Sequence, residues 1–522
     1  MKSSFHFIPD GLLLNPCACC KFFFEVVIFM RSFSRFSRPV AVLGILLGMG
    51  ALSASWSSIN ISLAAIQTDL SASVLELQWM MNCYGISICA ALLIIGKLGD
   101  SHGRKLVYML GLAGLALACI GAGFAHTIYL VIASMALFGI SAASVLALSQ
   151  ALVVHQFPEN QKSKAIALWA TVTSIASSIG PLLGGFMVSY LSWRWVFFIN
   201  IPMMALALIL VYVFVEKEKS YSKYCDWGGV VLLSLLVGCC ASGIMQGPHW
   251  GWHSQGVVGL FCVALGSLLG LVALEKKAQE PLFHPKLFAN PSFLFSSICN
   301  GFLIGFVWAV FFFFPLYLQN QLQKSSLEAG SIMMLITLPV ALLSLLASKL
   351  YDKWGAKYLL VAGFLVLASA VYFQSFFTIY GCCSLIGIGW VLTWGPSASQ
   401  ALSSLPHKMA GIASGMFMTL QEIGGVIGLA LSGVVFRMSI QSFLSPHMKE
   451  IEQALGEHTV AIMVDPAAAK KVLDKSSGLV QWIQEGFNTG YQNMLAFLAL
   501  FALVAACCAL LIPKRHNMQN IS

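Results

Sequence analysis

The sequence predicts an all-α polytopic membrane protein with fourteen transmembrane helices. Three observations lead there. Of 522 residues, 58% are hydrophobic and only 9% are charged, whereas soluble domains carry about 25% charged residues. The mean hydropathy is +0.84, and the apolar character runs along nearly the whole chain instead of collecting in one core. Charges also punctuate that length at bilayer-sized intervals. A span needs about 20 residues, because the hydrocarbon core is about 30 Å thick and a helix rises about 1.5 Å per residue.

Stretches without Asp, Glu, Lys or Arg give the spans in order. Arg38 to Asp69 holds the first and Glu76 to Lys97 the second. Lys105 to Glu159 holds two, broken near His126. Lys164 to Arg194 and Arg194 to Glu216 hold one each. Asp226 to Glu275 holds two, separated by a turn over Gly247-Pro248-His249-Trp250-Gly251-Trp252. Lys286 to Lys324 and Glu328 to Lys349 give the ninth and tenth. Lys357 to Lys408 holds two, broken at Tyr380-Gly381. Lys408 to Arg437 gives the thirteenth, interrupted only by Glu422, and Glu485 to Lys514 the last.

Lys and Arg are distributed unequally between the two sides. With the N-terminus inside, inner segments hold 22 and outer segments seven, the outer set including Arg194 and Arg437. This positive-inside bias places both termini in the cytoplasm. It also accounts for the net charge of +9 without nucleic acid, because the basic residues are scattered in ones and twos. Residues 11–29 are fairly apolar but carry Lys21 and Glu25. They read as an upstream extension that does not span, since a fifteenth span would invert the charge bias. Residues 441–487 are polar and read as an extracytoplasmic hairpin. The 15 cysteines lie mostly within apolar runs and read as small core thiols. Cys17, Cys19 and Cys20 lack a partner set, so no metal site or cofactor is expected. Trp79, Trp193, Trp195, Trp250 and Trp252 fall at outer span ends, as aromatic-belt residues do. No Gly-x-Ser-x-Gly, phosphate loop or metal spacing marks an enzyme.

The loop Gly96-Lys97-Leu98-Gly99-Asp100-Ser101-His102-Gly103-Arg104-Lys105 recurs as Ser348-Lys349-Leu350-Tyr351-Asp352-Lys353-Trp354-Gly355-Ala356-Lys357, at a constant offset of 252 residues. Such a repeat implies two homologous halves related by an axis along the membrane normal. Gly permits a tight turn there, and Asp100 or Asp352 can accept from an Arg or a helix N-terminus, holding one half against the other until they rock apart.

Gly96 to Lys105 resembles the signature loop of the major facilitator superfamily. Gly180-Pro181-Leu182-Leu183-Gly184-Gly185 resembles the antiporter motif of its drug–proton antiporters, and Ser192 to Pro202 is similar to the next stretch of the chain in the fourteen-helix subfamily. Gln78-Trp79, Tyr84 and Asn60 also resemble that subfamily, over about residues 39–513. The resemblance implies two six-helix bundles, 39–216 and 291–513, with two extra central helices inserted over 217–290 and cytoplasmic ends at 1–38 and 514–522. It implies export of small amphipathic or toxic compounds, and the short basic N-terminus with no long cytoplasmic domain suggests a bacterial inner membrane. The partners the resemblance brings are the lipid bilayer, a small-molecule substrate and protons, with a periplasmic adaptor and outer-membrane channel as a further option.

Glu422 is the one acid well inside a span. A charge near the bilayer centre costs at least about 2.5 kcal/mol, so a carboxyl there suits binding and release of a proton. The subfamily's usual span 1 acid is Ser55 here, and its usual span 4 Arg and Gln are Met135 and Phe138. Glu422 is therefore the expected coupling carboxyl. Asn60, Tyr84, Gln150, Trp308, Trp394 and Gln421 are polar or aromatic groups inside spans, and the aromatic ones could stack on a flat or cationic ligand. Two alternatives stay open: transport of a specific metabolite or siderophore-like solute without protons, and a non-transporting receptor or scaffold.

Overall fold

The computed structural model describes residues 37–158, 161–216, 227–277, 285–374, 378–405, 409–447 and 478–513. Cys17, Cys19, Cys20, the extension at 11–29 and most of the expected hairpin lie outside the described residues, as does the side chain of Asp100. The helices are α1 (Ser37–Asp69), α2 (Val74–His102), α3 (Arg104–Gly123), α4 (Ile128–His155), α5 (Lys162–Tyr190) and α6 (Trp195–Phe214). Next come α7 (Trp227–Trp250), α8 (Gln255–Lys277), α9 (Pro291–Asn320), α10 (Ser326–Trp354), α11 (Ala356–Tyr372), α12 (Ile379–Ser403), α13 (Ala410–Leu444) and α14 (Gly478–Leu510). Twelve of these are long and apolar enough to cross a bilayer; α2 and the 17-residue α11 complete fourteen.

Helix pairing divides the chain into two six-helix bundles. In α1–α6 the main packings are α2 on α4, α1 on α5, α3 on α4, α1 on α6 and α3 on α6. Shifting every partner by eight helices gives α10 on α12, α9 on α13, α11 on α12, α9 on α14 and α11 on α14, and all of these occur. The halves meet along three seams, α5 with α10, α2 with α13 and α1 with α9. The inserted α7 and α8 form a hairpin whose α7 lies against both α2 and α13.

The 252-residue repeat is built into the backbone at both ends of α2 and α10. Each starts with a capping box: the Ser73 hydroxyl accepts from the Glu76 amide at 3.2 Å, and the Ser325 hydroxyl from the Glu328 amide at 3.2 Å. In each, the Glu carboxylate accepts in return from the Ser backbone amide. Such a cap contributes about 1 kcal/mol. Each helix ends at a glycine with positive φ, +92° at Gly103 and +77° at Gly355, a conformation that costs other residues dearly. Beyond these turns the loop lysines act alike. Lys105 Nζ donates to the carbonyls of Tyr212 (2.8 Å) and Val215 (2.5 Å) at the end of α6. Lys357 Nζ donates to the Leu510 carbonyl at the end of α14. Each thereby caps the last helix of its own half, so these lysines tie within a half.

Several sequence expectations need correcting. Pro248, His249 and Trp250 lie inside α7, and the turn comes at Gly251, where φ is +85°. Trp193 is a buried residue, not a belt residue: its indole donates to Asp69 at 3.0 Å. Arg194 is ion-paired with Asp69 at 2.8 Å and donates to the Ala125 carbonyl, pinning the ends of α1 and α3 to the start of α6. Helix α13 runs on to Leu444, so Arg437 is not in an outer segment but buried within the helix.

Candidate functional site

We call the side carrying the Gly103 and Gly355 turns the motif face and the opposite side the far face. On the far face the halves are in contact backbone to backbone. A Cβ on Gly185 would come within 2.5 Å of the Ser326 carbonyl oxygen, and one on Gly330 within 3.0 Å of the Pro181 carbonyl carbon. The Ser178 hydroxyl donates to the Thr337 carbonyl at 3.0 Å, and the Leu327 amide to Ser189. Gln319 and Asn320 on α9 reach the Ile61 carbonyl and Gln67 on α1. Of the antiporter motif, Gly180 and Gly184 instead seat α5 on α1, where Ser58 donates to the Gly180 carbonyl at 2.6 Å. One motif therefore serves both the packing of its own half and the seam.

Toward the motif face the seams part. Along α2 and α13, Gln78 lies against Gly433 and Gly85 against Val426. The same antiparallel register brings Gly96 level with Gly415, and there a Cβ on either would meet nothing within 4 Å. On α5 and α10 the corresponding continuation reaches exposed Ala170 and Leu345. Trp394, in mid-helix, is 37% exposed. The halves are closed on the far face and splayed on the motif face.

Between them, at mid-depth, lies a cavity of about 200 Å³. Its aromatic wall comprises Trp56, Tyr84, Trp308, Trp390 and Trp394. Tyr84 stacks on Trp308 at 5.8 Å between ring centroids, and Phe311 stands between Trp56 and Trp390. The lining is also hydroxylated, with Ser53 and Ser57 from α1, Ser174, Ser177 and Ser178 from α5, and Thr337 from α10. One carboxyl, Glu422, enters this lining. It is 6% exposed and accepts from Gln421 Nε2 at 3.1 Å. Gln421 Oε1 in turn accepts from Asn300 Nδ2 at 3.0 Å and from the Trp394 indole at 3.4 Å, and Ser397 donates to Asn300. A buried carboxyl oriented by a chain of neutral donors can hold a proton or a ligand cation without a permanent counter-charge.

Tyr84, Trp308, Trp394, Gln421 and Glu422 are thus brought together. Asn60 and Gln150 are not in the cavity lining; the Asn60 amide donates to the Trp56 carbonyl one turn back in its own helix. The positions that differ from the subfamily's pattern are silent. The Ser55 hydroxyl donates to the Ala51 carbonyl at 2.6 Å, and Met135 and Phe138 are buried. Sequence reasoning missed Trp56, Trp390, Asn300 and the lining hydroxyls. The pairs Thr173-Ser174 and Ser177-Ser178, one helical turn apart, were the available signal, since i and i+4 share a face.

The model of the Major Facilitator Superfamily matches residues 45–429. The chain is 30% identical over 423 residues to the multidrug resistance protein Stp of Mycobacterium tuberculosis, covering 78% of each chain. It is 26% identical over 490 residues, covering 91% of each, to the tetracenomycin C resistance and export protein of Streptomyces glaucescens. Among solved structures, a bacterial homologue of the human lysosomal transporter Spinster superposes with a TM-score of 0.66 at 14% identity, over 92% of this chain and 97% of that one. With two repeated six-helix bundles, an inserted helical hairpin and a family match over most of its length, the chain belongs to the Major Facilitator Superfamily.

Proposed function

We propose that the protein is a secondary transporter that exports drug-like amphipathic molecules by alternating access, with protons as the counter-ion and Glu422 as their carrier. The observation that carries this reading is the mid-depth cavity, bounded by aromatic rings and hydroxyls and holding a single carboxyl, between halves that touch on one face only. Rocking the halves about that cavity exposes it to each side in turn. The lysine and arginine bias supports a cytoplasmic motif face, and on that reading the arrangement described is open inward and ready to load. A flat cation stacks on the indoles and competes with a proton for Glu422; opening to the far side releases it.

The test is proton movement in proteoliposomes under an imposed pH gradient, with ethidium and other lipophilic cations as probes, for wild type and Glu422→Gln. Substrate-dependent proton flux in wild type, lost in the variant, is the expected result. Equal gradient-independent transport by both would sink the coupling role of Glu422. That outcome would favour a second reading, a facilitator for a polyhydroxylated solute, to which the lining serines and threonine point.

A further inference from the structure

Arg437 is buried at 7% exposure within α13, and its partners are neutral. Its guanidinium donates to the Gln78 side-chain oxygen on α2 and to the Met245 carbonyl on α7, the latter at 3.0 Å. A lone guanidinium in this setting is expensive and usually marks a working part. Gln78 is fully buried and donates back to the Leu429 carbonyl at 3.3 Å. A Cβ on Gly433 would lie 2.5 Å from its amide carbon, so Gln78 is pressed flat on α13. Three helices therefore converge on one cation: one from each half along the far-face seam, and the first inserted helix.

The same node holds unused acceptors. Asn82, one turn from Gln78 on the same face of α2, donates to the Met245 sulfur at 2.9 Å, while its Oδ1 is buried without a partner. Gln246 Oε1, beside Met245, is buried and unpartnered too. A guanidinium has five N–H donors and spends two nitrogens here. Leaving a buried acceptor unpaired is costly, so one on α2 a turn from Gln78 and one on α7 next to Met245 point to a second arrangement in which they are satisfied.

We propose that Arg437 is a two-position latch of the far-face gate, an inference that rests on the rocking motion above. With the far face closed, it holds α2 through Gln78. When the halves part there, Gln78, nearer the far end of α2, moves away most. Asn82 lies a turn closer to the pivot and takes its place as acceptor, with Gln246 supplying a second oxygen. One-turn exchanges of partner are a known form of switching between packed elements. Through the Met245 carbonyl α7 stays with Arg437 in both positions, so the inserted helix travels with the C-terminal half as part of the gate.

The latch gives opposite signs to two otherwise similar substitutions. Hydrogen exchange over residues 74–90, 239–250 and 429–444 is measured on the full chain in lipid nanodiscs. Gln78→Leu removes the closed-state acceptor and speeds exchange at the far ends of α2 and α13 by about tenfold, whereas Asn82→Leu removes the open-state acceptor and slows it by about as much. Arg437→Lys, which keeps the charge but not the fork, shifts exchange in the direction of Gln78→Leu by a smaller factor. An ordinary packing role would make both Leu variants shift the same way, and that result overturns the latch, as does no shift in either. If wild-type far ends exchange no faster than the buried middles of α1 and α4, the far face does not open, and the rocking motion fails together with the latch.

Discussion

The seams of α5 with α10 and of α2 with α13 occupy equivalent places in the two-fold arrangement, yet they close by different chemistry. The first is made mostly of bare backbone, with Gly185 on Ser326, Gly330 on Pro181 and hydroxyl bonds only at Ser178 and Ser189 among the described residues. The second is made of buried side chains, with Arg437 and Gln78 across the seam and α7 packed over both helices. Backbone contact is steric: it fits or it does not. A guanidinium among amides has several arrangements of similar energy. The repeat supplied one geometry, and the side chains turned one copy into a stop and the other into a moving joint.

Substitution at the stop has the largest expected effect. Gly185→Leu drives a side chain into the α10 backbone, and overpacking of this kind costs about 1–3 kcal/mol. If the far-closed state is the loading state, uptake of labelled ethidium into inverted vesicles falls by about 10- to 100-fold. Near-normal uptake would show that the backbone contact is dispensable and erase the contrast between the seams. The next largest effect concerns the turns that the halves share. Lys105→Met and Lys357→Met each leave helix-end carbonyls uncapped, losing about 1 kcal/mol, which lowers the thermal midpoint by a few degrees at most for a chain of this size. A loss is expected in both variants, the larger for Lys105, which donates to two carbonyls where Lys357 donates to one. A loss confined to one would make the repeat ornamental at that end. The smallest effect sharpens the account of the stop. Ser178→Ala removes its hydroxyl bond to Thr337 and should change transport by less than about threefold. A larger change would mean that hydrogen bonding, not shape, closes that seam.

The fourteen helices were legible because each must satisfy its backbone internally across an apolar slab, and charges mark where the slab ends. The loop repeat was legible because both copies keep Lys, Leu, Asp, Gly and Lys in register. The matching Ser73-Glu76 and Ser325-Glu328 boxes carry the same offset, although only the structure shows that they cap. Glu422 stood out because an acid in mid-span is rare. Arg437 was misplaced for a reason of the same kind: a charge was taken as a helix boundary, whereas α13 satisfies it with Gln78 and a carbonyl and continues seven residues further, to Leu444. The cavity was only half legible. Trp308 and Trp394 could be nominated by type, but of Trp56 and Asn60, four residues apart on one helix, only Trp56 reaches the cavity, while Asn60 bonds back to its own helix. Asn300 acts through Gln421, and a contact between α9 and α13 leaves no trace in sequence spacing.

The two loop lysines have a mechanical consequence. By fastening the hairpin turn after the second helix of each half to the end of that half's last helix, Lys105 and Lys357 close each group of six into a hoop. A hoop resists shear among its staves, so a push on any one helix is delivered to the whole. Two stiff levers meeting at a fulcrum convert a small displacement at the centre into a wide gap at the rim.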